Sequence, residues 1–195
     1  IVFVGRLVPE KRPELLIEAF QSIKSSGWKL VLVGGTSDTD SFTKQITDLT
    51  ESDCQNVVFT GELHGKYLAE IVRGAGLFVL PSDVEGLPLA MLEAMREGVP
   101  VLASNIAPHQ QLIDRRRGIL FQAGDISSCA KALNWAIAHP QDLAIMAQEA
   151  QQYIEKNYNW DKITSETLQV YEMLLKSPRK LKNSMQLNPP AFPRN

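Results

Sequence analysis

The stretch IVFVGRLVPEKRPELLIEAF, from Ile1 to Phe20, places a short strand directly before a helix. Ile1 to Val4 is a continuous apolar run, which is typical of a strand buried on both faces. Pro13 begins the helix in a favoured first-turn position. The apolar residues of that helix recur at spacings of three and four: Leu15, Leu16, Ala19, Phe20 and Ile23. The stretch therefore predicts a strand, a loop and a helix, the unit from which parallel α/β sheets are built.

The same alternation continues along the chain. Further strands are predicted over Leu30 to Val33, Val57 to Phe59, Leu77 to Leu80, Val99 to Ala103 and Gly118 to Phe121. Helices are predicted over Pro13 to Ser25, Ser41 to Leu49, Gly65 to Gly74, Pro88 to Gly98, Ile126 to Ala138, Asp142 to Lys156 and Asp161 to Leu175. We expect an α/β fold, a Rossmann-like doubly wound parallel sheet of about six strands with helices on both faces and extra C-terminal helices.

Composition and charge exclude several classes of protein. The 195 residues are 44% hydrophobic and 22% charged, as in an ordinary globular domain, and the net charge of -2 offers no basic field for nucleic acid. Cys54 and Cys129 lack metal-ligand spacing and are expected to be reduced thiols. No apolar run approaches the roughly 18 residues of a membrane-spanning helix. We expect a cytoplasmic protein, in contact with a membrane at most peripherally through another domain.

The two ends of the chain predict its domain organisation. The first residue is not Met and already lies in a strand, so we expect that an upstream domain precedes residues 1–175, which form one domain. Residues 176–195, KSPRKLKNSMQLNPPAFPRN, are rich in Pro, Asn and basic residues and lack periodicity. They predict a disordered tail.

Ligands of doubly wound sheets bind beyond the carboxyl ends of the strands, and two cations fall there. Arg6 leaves the first strand, and Lys11 precedes the helix that Pro13 begins. Two cations beside helix N-termini suit a diphosphate, although two solvated surface cations would fit the spacing equally well. Gly34 and Gly35 follow the second strand, but no GxGxxG fingerprint or P-loop lysine accompanies them, so they predict only a tight turn.

Two glutamates flank the apolar run in PSDVEGLPLAMLEAMREGVPVLASN, Pro81 to Asn105. Glu85 lies at the mouth of a predicted helix, and Glu93 lies roughly 7–8 Å along its axis. The free amides of Gly86, Leu87 and Leu89 are expected to point into the same cleft. Carboxylates at two ends of an amide-lined helix start suit a nucleotide sugar, which has hydroxyls at both ends and a diphosphate between them. The alternative is a helix-dipole partner at Glu85 and a solvent-facing Glu93.

Three blocks in this order resemble the retaining GT-B-fold glycosyltransferases of family 4, also called group 1. EGLPLAMLEAMREGVPVLAS carries two glutamates with the spacing of the EX7E motif, at Glu85 and Glu93. GRLVPEKRPELLIEAF is similar to the family's opening strand, cation loop and helix, and RGILFQAGDISSCAKAL to its closing strand, turn and helix. The resemblance extends from Ile1 to about Leu175 and corresponds to the nucleotide-sugar-binding C-terminal domain, with the N-terminal acceptor domain absent from this sequence.

The resemblance implies roles for individual residues. Arg6 and Lys11 would hold the donor diphosphate and stabilise charge on the leaving nucleotide, and so would be catalytic together with Glu85. Glu85 would bind hydroxyls of the transferred hexose, and Glu93 would hold the ribose. Contacts to the rest of the donor would come largely from backbone, at Gly5, Gly61, Leu63, Gly86, Leu87 and Leu89. Such enzymes generally need no metal or other cofactor, because side-chain cations and helix dipoles balance the charge.

The sequence departs from the family pattern at two loops. Arg12 follows Lys11 where the family often has Gly, and two alternatives stay open for it: an additional cation at the site or a side chain that points outward. Gln110 or Gln111 lies where an acidic residue is common. His109 in the same loop is expected at the surface, with contact to the donor as the alternative. His64 and His139 are expected to be structural or exposed, and neither has partners that would suggest a metal site. The acceptor, carbohydrate or lipid-linked, would be bound by the missing domain.

Two other functions compete with a glycosyltransferase. A non-catalytic nucleotide-sugar-binding module would have the same fold, but it would not need the complete set of Arg6, Lys11, Glu85 and Glu93. A generic dinucleotide or response-type domain would need a GxGxxG with a ribose acid, or an acidic phospho-acceptor pocket, and the sequence has neither. Neither the sugar, the base nor the acceptor follows from the sequence.

Overall fold

The computed structural model describes residues 1–23, 27–35, 40–50, 56–114 and 116–176. The chain divides into two compact units, Ile1–Glu155 and Lys156–Asn195. The first unit contains one six-stranded sheet in the order β3-β2-β1-β4-β5-β6, and every pairing is parallel. Its strands are β1 (Val2–Val4), β2 (Leu30–Val33), β3 (Val57–Gly61), β4 (Phe78–Leu80), β5 (Val101–Ser104) and β6 (Ile119–Phe121).

Helices connect the strands as the periodicity predicts. They are α1 (Pro13–Gln21), α2 (Asp40–Asp48), α3 (Gly65–Arg73), α4 (Leu89–Arg96), α5 (Ala107–Leu112), α6 (Ile126–Ala138), α7 (Pro140–Asn157) and α8 (Trp160–Lys176). The doubly wound sheet and the extra C-terminal helices are thus confirmed. Two elements were not predicted: a single 3-10 turn over Pro9–Lys11, and α5. The predicted tail at 177–195 lies outside the described residues.

The core lies on both faces of the central strands. Phe3 on β1 and Phe78 on β4 are fully buried, as are Leu16 and Ile17 of α1 and Met91 of α4. Each fully buried aliphatic or aromatic side chain contributes about 1.5–3 kcal/mol to folding. Because the strands are covered on both faces, their sequences are continuously apolar rather than alternating.

The thiol of Cys129 is part of this core. Its side chain on α6 is fully buried, and burial raises its pKa to about 12. The reduced thiol expected at Cys129 is therefore chemically inert. Cys54 lies outside the described residues. Among the described helices, none is both long and apolar enough to cross a membrane.

Gly34 has a structural role at the carboxyl edge of the sheet. Its φ is +155°, and a Cβ there would lie 1.8 Å from the carbonyl oxygen of Gly5. A Cβ on Gly35 would lie 2.3 Å from Oε1 of Glu62. Gly34 therefore lets the ends of β1 and β2 approach each other closely, whereas Gly35 leaves room for the side chain of Glu62 after β3.

We expect Gly34→Ala to lower the free energy of unfolding by about 3 kcal/mol, because the added methyl group must displace backbone in a strained conformation. Gly86→Ala is the matched control, since no heavy atom lies within 4 Å of its Cβ position. That change should stay within about 0.5 kcal/mol of the wild type. Chemical denaturation measures both variants, and equal stabilities would contradict the close-approach argument.

Candidate functional site

The site lies where the strand order reverses. β1 and β4 are neighbours, yet from β1 the chain proceeds to β2 and β3, and from β4 to β5 and β6. The loops that follow β1 and β4 therefore diverge above the sheet and leave a crevice between them, at the carboxyl ends of the strands. A backbone hydrogen bond joins the two loops, in which the amide of Asp83 donates to the carbonyl of Glu10 at 2.9 Å.

Lys11 and Glu85 meet across this crevice. Lys11 Nζ donates to Oε1 of Glu85 at 2.7 Å, and Ser82 Oγ donates to the same oxygen at 2.8 Å. The side chains of Lys11 and Glu85 are only 20% and 8% exposed. No described residue donates to the other carboxylate oxygen, Oε2. Glu85 is thus held by one oxygen, and its second oxygen remains available as an acceptor.

Arg6, the other predicted cation, is not drawn into this pair. Its side chain is 72% exposed, and within the described ranges its guanidinium approaches the carboxylate of Glu10 alone, at 3.4 Å. An exposed ion pair of that length contributes little to stability. The guanidinium is therefore free to reorient towards an anion.

Arg12 links the two loops instead of presenting a free cation. Its φ of 53° is left-handed, a conformation in which glycine is not strained, whereas an arginine requires compensating contacts. Its Nη1 donates to Oε1 of Glu14 at 3.1 Å. Its Nε lies 3.0 Å from Oδ2 of Asp83, an ion pair rather than a hydrogen bond. These contacts tie α1 to the loop that carries Glu85.

The helix start behind Glu85 differs in one respect from the prediction. α4 begins at Leu89, one residue after Pro88, and the amide of Leu89 donates to the carbonyl of Leu87 at 2.9 Å. The prediction that the Leu89 amide is free was therefore wrong, because a tight turn at Pro88 uses it. The amides of Gly86 and Leu87 donate to no described residue.

Glu93 lies exposed on α4, and its carboxylate has no partner within the described part of the chain. It is therefore neither buried nor neutralised, and it can accept from a ligand hydroxyl. Exposure alone does not separate a ribose contact from the solvent-facing alternative, so the ribose role stays a prediction.

Three further predicted residues lie at the same edge. Gly5 follows β1, and its amide donates to the carbonyl of Val33 at 2.9 Å. Gly61 ends β3 with a φ of +69°, and its carbonyl accepts from the amide of Gly34 at 3.0 Å. Leu63, two residues further on, is half-buried. β3 lies three strand positions from β4, the strand that precedes Glu85, which is roughly 14 Å, so a ligand reaching from Glu85 to Gly61 would have to be extended.

His109 corrects the sequence prediction. It was expected at the surface but is fully buried on α5. Its Nδ1 lies 2.9 Å from the carbonyl oxygen of Ser104, and burial lowers its pKa below the usual value, although the Ser104 carbonyl and Glu85 oppose that shift. One sequence feature could have predicted α5: Pro108 begins a segment that ends in Leu112, and that pattern favours a short helix. Sequence reasoning also missed Ser82 and Ser104, the two other buried polar residues at this edge.

The remaining candidates stay outside the crevice. His64 is exposed, whereas His139 is half-buried and stacks on Trp135, with its Nδ1 2.7 Å from the Trp135 carbonyl oxygen. Gln110 is exposed and donates to the carbonyl of Asn105 at 2.8 Å. In the described ranges, no three His, Cys, Asp or Glu side chains cluster closely enough to hold a metal ion.

Comparisons with known proteins identify the family and the fold. A family model described as glycosyl transferases group 1 matches residues 1–160. The chain is 29% identical over 171 residues to a sulfoquinovosyl transferase of Arabidopsis thaliana, covering 85% of this chain and 31% of that protein. It is 30% identical over 189 residues to a D-inositol 3-phosphate glycosyltransferase of Gordonia bronchialis, covering 91% and 41%. The chain thus spans less than half the length of either relative.

Solved structures show the same fold. A sucrose-phosphate synthase of Thermosynechococcus elongatus superposes with a TM-score of 0.82 at 28% identity, covering 90% of this chain and 45% of that one. HepE of Anabaena, crystallised with UDP and glucose, superposes with a TM-score of 0.82 at 22% identity, covering 89% and 48%, and this likeness shows the fold alone. With a family model matching most of the chain, a sheet of the expected order, and a crevice at its reversal point, the chain belongs to the glycosyl transferases of group 1.

Proposed function

We propose that this chain is the donor-binding part of a glycosyltransferase that moves a hexose from a nucleotide sugar to an acceptor hydroxyl with retention of anomeric configuration. The observation that carries the proposal is the Lys11–Glu85 pair at the sheet's reversal point, where one carboxylate oxygen is fixed and the other is open. A nearly buried ion pair that leaves acceptor and donor capacity unused suits a ligand with both hydroxyls and anionic oxygens.

The diphosphate is proposed to lie beside Lys11. An ammonium group has three donors, and Glu85 takes one of those of Lys11, so two remain for phosphate oxygens. Arg6 is exposed and can swing onto the same group. When the bond between the sugar's anomeric carbon and the diphosphate oxygen breaks, the electron pair goes to that oxygen, and both cations stabilise the charge that develops. The acceptor oxygen forms the new bond to the anomeric carbon, and the proton of its hydroxyl passes to the released diphosphate. In this proposal no metal is required for that step.

The sugar and the nucleoside are proposed to lie on opposite sides of the diphosphate. Oε2 of Glu85 accepts from hexose hydroxyls, while the amides of Gly86 and Leu87 contact the sugar and phosphate. Glu93 accepts from the ribose, and the edge at Gly61 and Leu63 meets the base. That HepE of Anabaena was crystallised with UDP and glucose supports a donor of this class.

The acceptor side of the cleft is proposed to come from a further domain. The chain spans 31% to 41% of the two relatives compared above, so most of each relative lies outside the matched part, which supports a further domain. That acceptor is a carbohydrate or a lipid-linked molecule. A non-catalytic nucleotide-sugar module remains the second candidate, because it would use the same crevice without an acceptor.

Calorimetric titration of the chain with a panel of nucleoside diphosphates and their sugars tests the proposal. We expect saturable but weak binding of at least one diphosphate and its sugar, and no sugar transfer by this chain alone, because half of the proposed cleft is supplied elsewhere. The full-length protein should release the nucleoside diphosphate from the same donor when acceptor is added. Robust transfer by the chain alone would contradict the division of the cleft, and donor binding without turnover in the full-length protein would favour the non-catalytic module.

A further inference from the structure

Four polar or charged residues are buried in the part of the chain that the structure describes: Thr50, Ser82, Ser104 and His109. The last three have no exposed surface and belong to one hydrogen-bonded chain. Buried polar groups cost free energy unless they are paired, so a chain of three in one place calls for an explanation. This chain of hydrogen bonds ends on Glu85.

The first link fixes the tautomer of His109. Nδ1 lies 2.9 Å from the carbonyl oxygen of Ser104, which can only accept, so Nδ1 must carry the proton. Ser104 Oγ lies 3.2 Å from the same nitrogen and has already given its own hydrogen to the carbonyl of Ser82. The carbonyl oxygen and the hydroxyl oxygen of Ser104 therefore both face Nδ1 as acceptors.

The other ring nitrogen of His109 does not face a ligand. Among the residues that the structure describes, none is a hydrogen-bond partner of Nε2, and this nitrogen is buried. A ligand therefore cannot touch it in this arrangement, and His109 can act on the site only through its neighbours. Protonation of Nε2 would create a buried cation, on which Lys11 and Glu85 are the charged groups that act.

The next links lead from His109 to the ion pair. Ser104 Oγ donates to the carbonyl of Ser82, and Ser82 Oγ donates to Oε1 of Glu85 at 2.8 Å. β5 and α5, which carry Ser104 and His109, are thereby connected to the loop after β4. Oε1 accepts from both Ser82 Oγ and Lys11 Nζ, and that arrangement leaves Oε2 open as an acceptor.

Resting on the function proposed above, we propose that His109 is a positioning residue for the sugar end of the donor site. As a neutral imidazole with its proton on Nδ1, it holds Ser104, which holds Ser82, so that Glu85 presents Oε2 to the hexose hydroxyls. Preorganising a contacting group through a second layer of hydrogen bonds in this way is how sites keep their geometry within a fraction of an ångström.

A matched pair of variants of the chain separates this role from simple filling of the core. In His109→Asn the amide nitrogen takes the place of Nδ1 and can still donate to Ser104, whereas in His109→Gln it lies one bond further out. We expect His109→Asn to bind the nucleotide sugar within about threefold of the wild type, and His109→Gln to bind about tenfold more weakly, one lost hydrogen bond. Both should bind the bare diphosphate as the wild type does. His139→Asn, on a half-buried histidine at the end of α6, is the control.

A double variant that also changes Ser82 tests whether His109 acts on Glu85 through Ser82. Ser82→Ala should give a similar loss for the nucleotide sugar, and adding His109→Gln to it should weaken binding little further, because both changes break one chain. Additive losses of binding in the double variant would overturn the proposal that His109 acts through Ser82. Equal losses in the Asn and Gln variants for the sugar and the bare diphosphate alike, with lowered melting temperatures, would overturn the positioning role in favour of core filling.

The tautomer is tested without any ligand. The chain has three histidines, so long-range proton–nitrogen NMR spectra assigned with the variants identify the ring of His109. We expect a neutral ring protonated at Nδ1 at pH 7, and a proton on Nε2 would overturn the proposal. If the wild-type chain bound no nucleotide sugar at all, the proposed function would fall and the positioning role with it. Failure of the variants alone, with wild-type binding intact, would overturn only the role of His109.

Discussion

Lys11→Ala in the full-length protein should lower kcat by about 10²-fold, the loss typical of removing one preorganised donor from a site where negative charge develops. Lys11 is the cation that the structure places against Glu85, at 2.7 Å and 20% exposed, so its ammonium is held in place before the donor binds. Steady-state kinetics with a saturating donor measure the effect. Lys131→Ala, an exposed lysine on α6, is the matched control and should leave kcat unchanged.

Two further measurements separate catalysis from folding. Without Lys11, Ser82 is the one partner left to Glu85 in the described part of the chain, so we expect Lys11→Ala to lower the free energy of unfolding by about 1–3 kcal/mol as well. Arg6→Ala should also slow turnover, by the loss of a charge-assisted contact of about 1.5–3 kcal/mol, yet leave stability unchanged because Arg6 is 72% exposed. A wild-type kcat in either variant would refute the diphosphate role of that residue.

Glu85→Ala should cripple use of the nucleotide sugar and spare the bare nucleoside diphosphate, whereas Glu93→Ala should weaken both ligands by similar factors. The reason is that only the sugar donor carries the hexose, while both ligands carry the ribose. Each loss should be on the order of 1–3 kcal/mol, the range for hydrogen bonds to a charged group. Titration of both variants with both ligands gives the four affinities that are needed.

Stability must be measured beside these affinities. Glu85 is nearly buried and paired with Lys11, so Glu85→Ala leaves an unpaired ammonium and should lower the melting temperature. Glu93 is exposed and unpaired among the described residues, so Glu93→Ala should melt as the wild type does. If Glu85→Ala weakened the bare diphosphate as much as Glu93→Ala does, the hexose role of Glu85 would fail.

The strands and most helices follow from local sequence because their signals are local. Leu30–Val33 is predicted and observed with the same bounds, since a β-branched run bounded by turn residues needs no distant partner to be recognised. α5 was missed because six residues are too few for a period to show. Arg12 was left undecided because a left-handed arginine is stable only where Glu14 and Asp83 surround it.

The sequence by itself determined the parallel α/β sheet, the edge at which the site lies, and the identity of Arg6, Lys11, Glu85 and Glu93 as candidates. Only the tertiary structure decided that Lys11 and Glu85, 74 residues apart, share one hydrogen bond while Arg6 remains exposed. It also decided that His109 is buried behind that pair. The physical reason is that strand periodicity is a property of neighbouring residues, whereas the pairing of charges and the burial of a polar chain depend on which loops the strand order brings together.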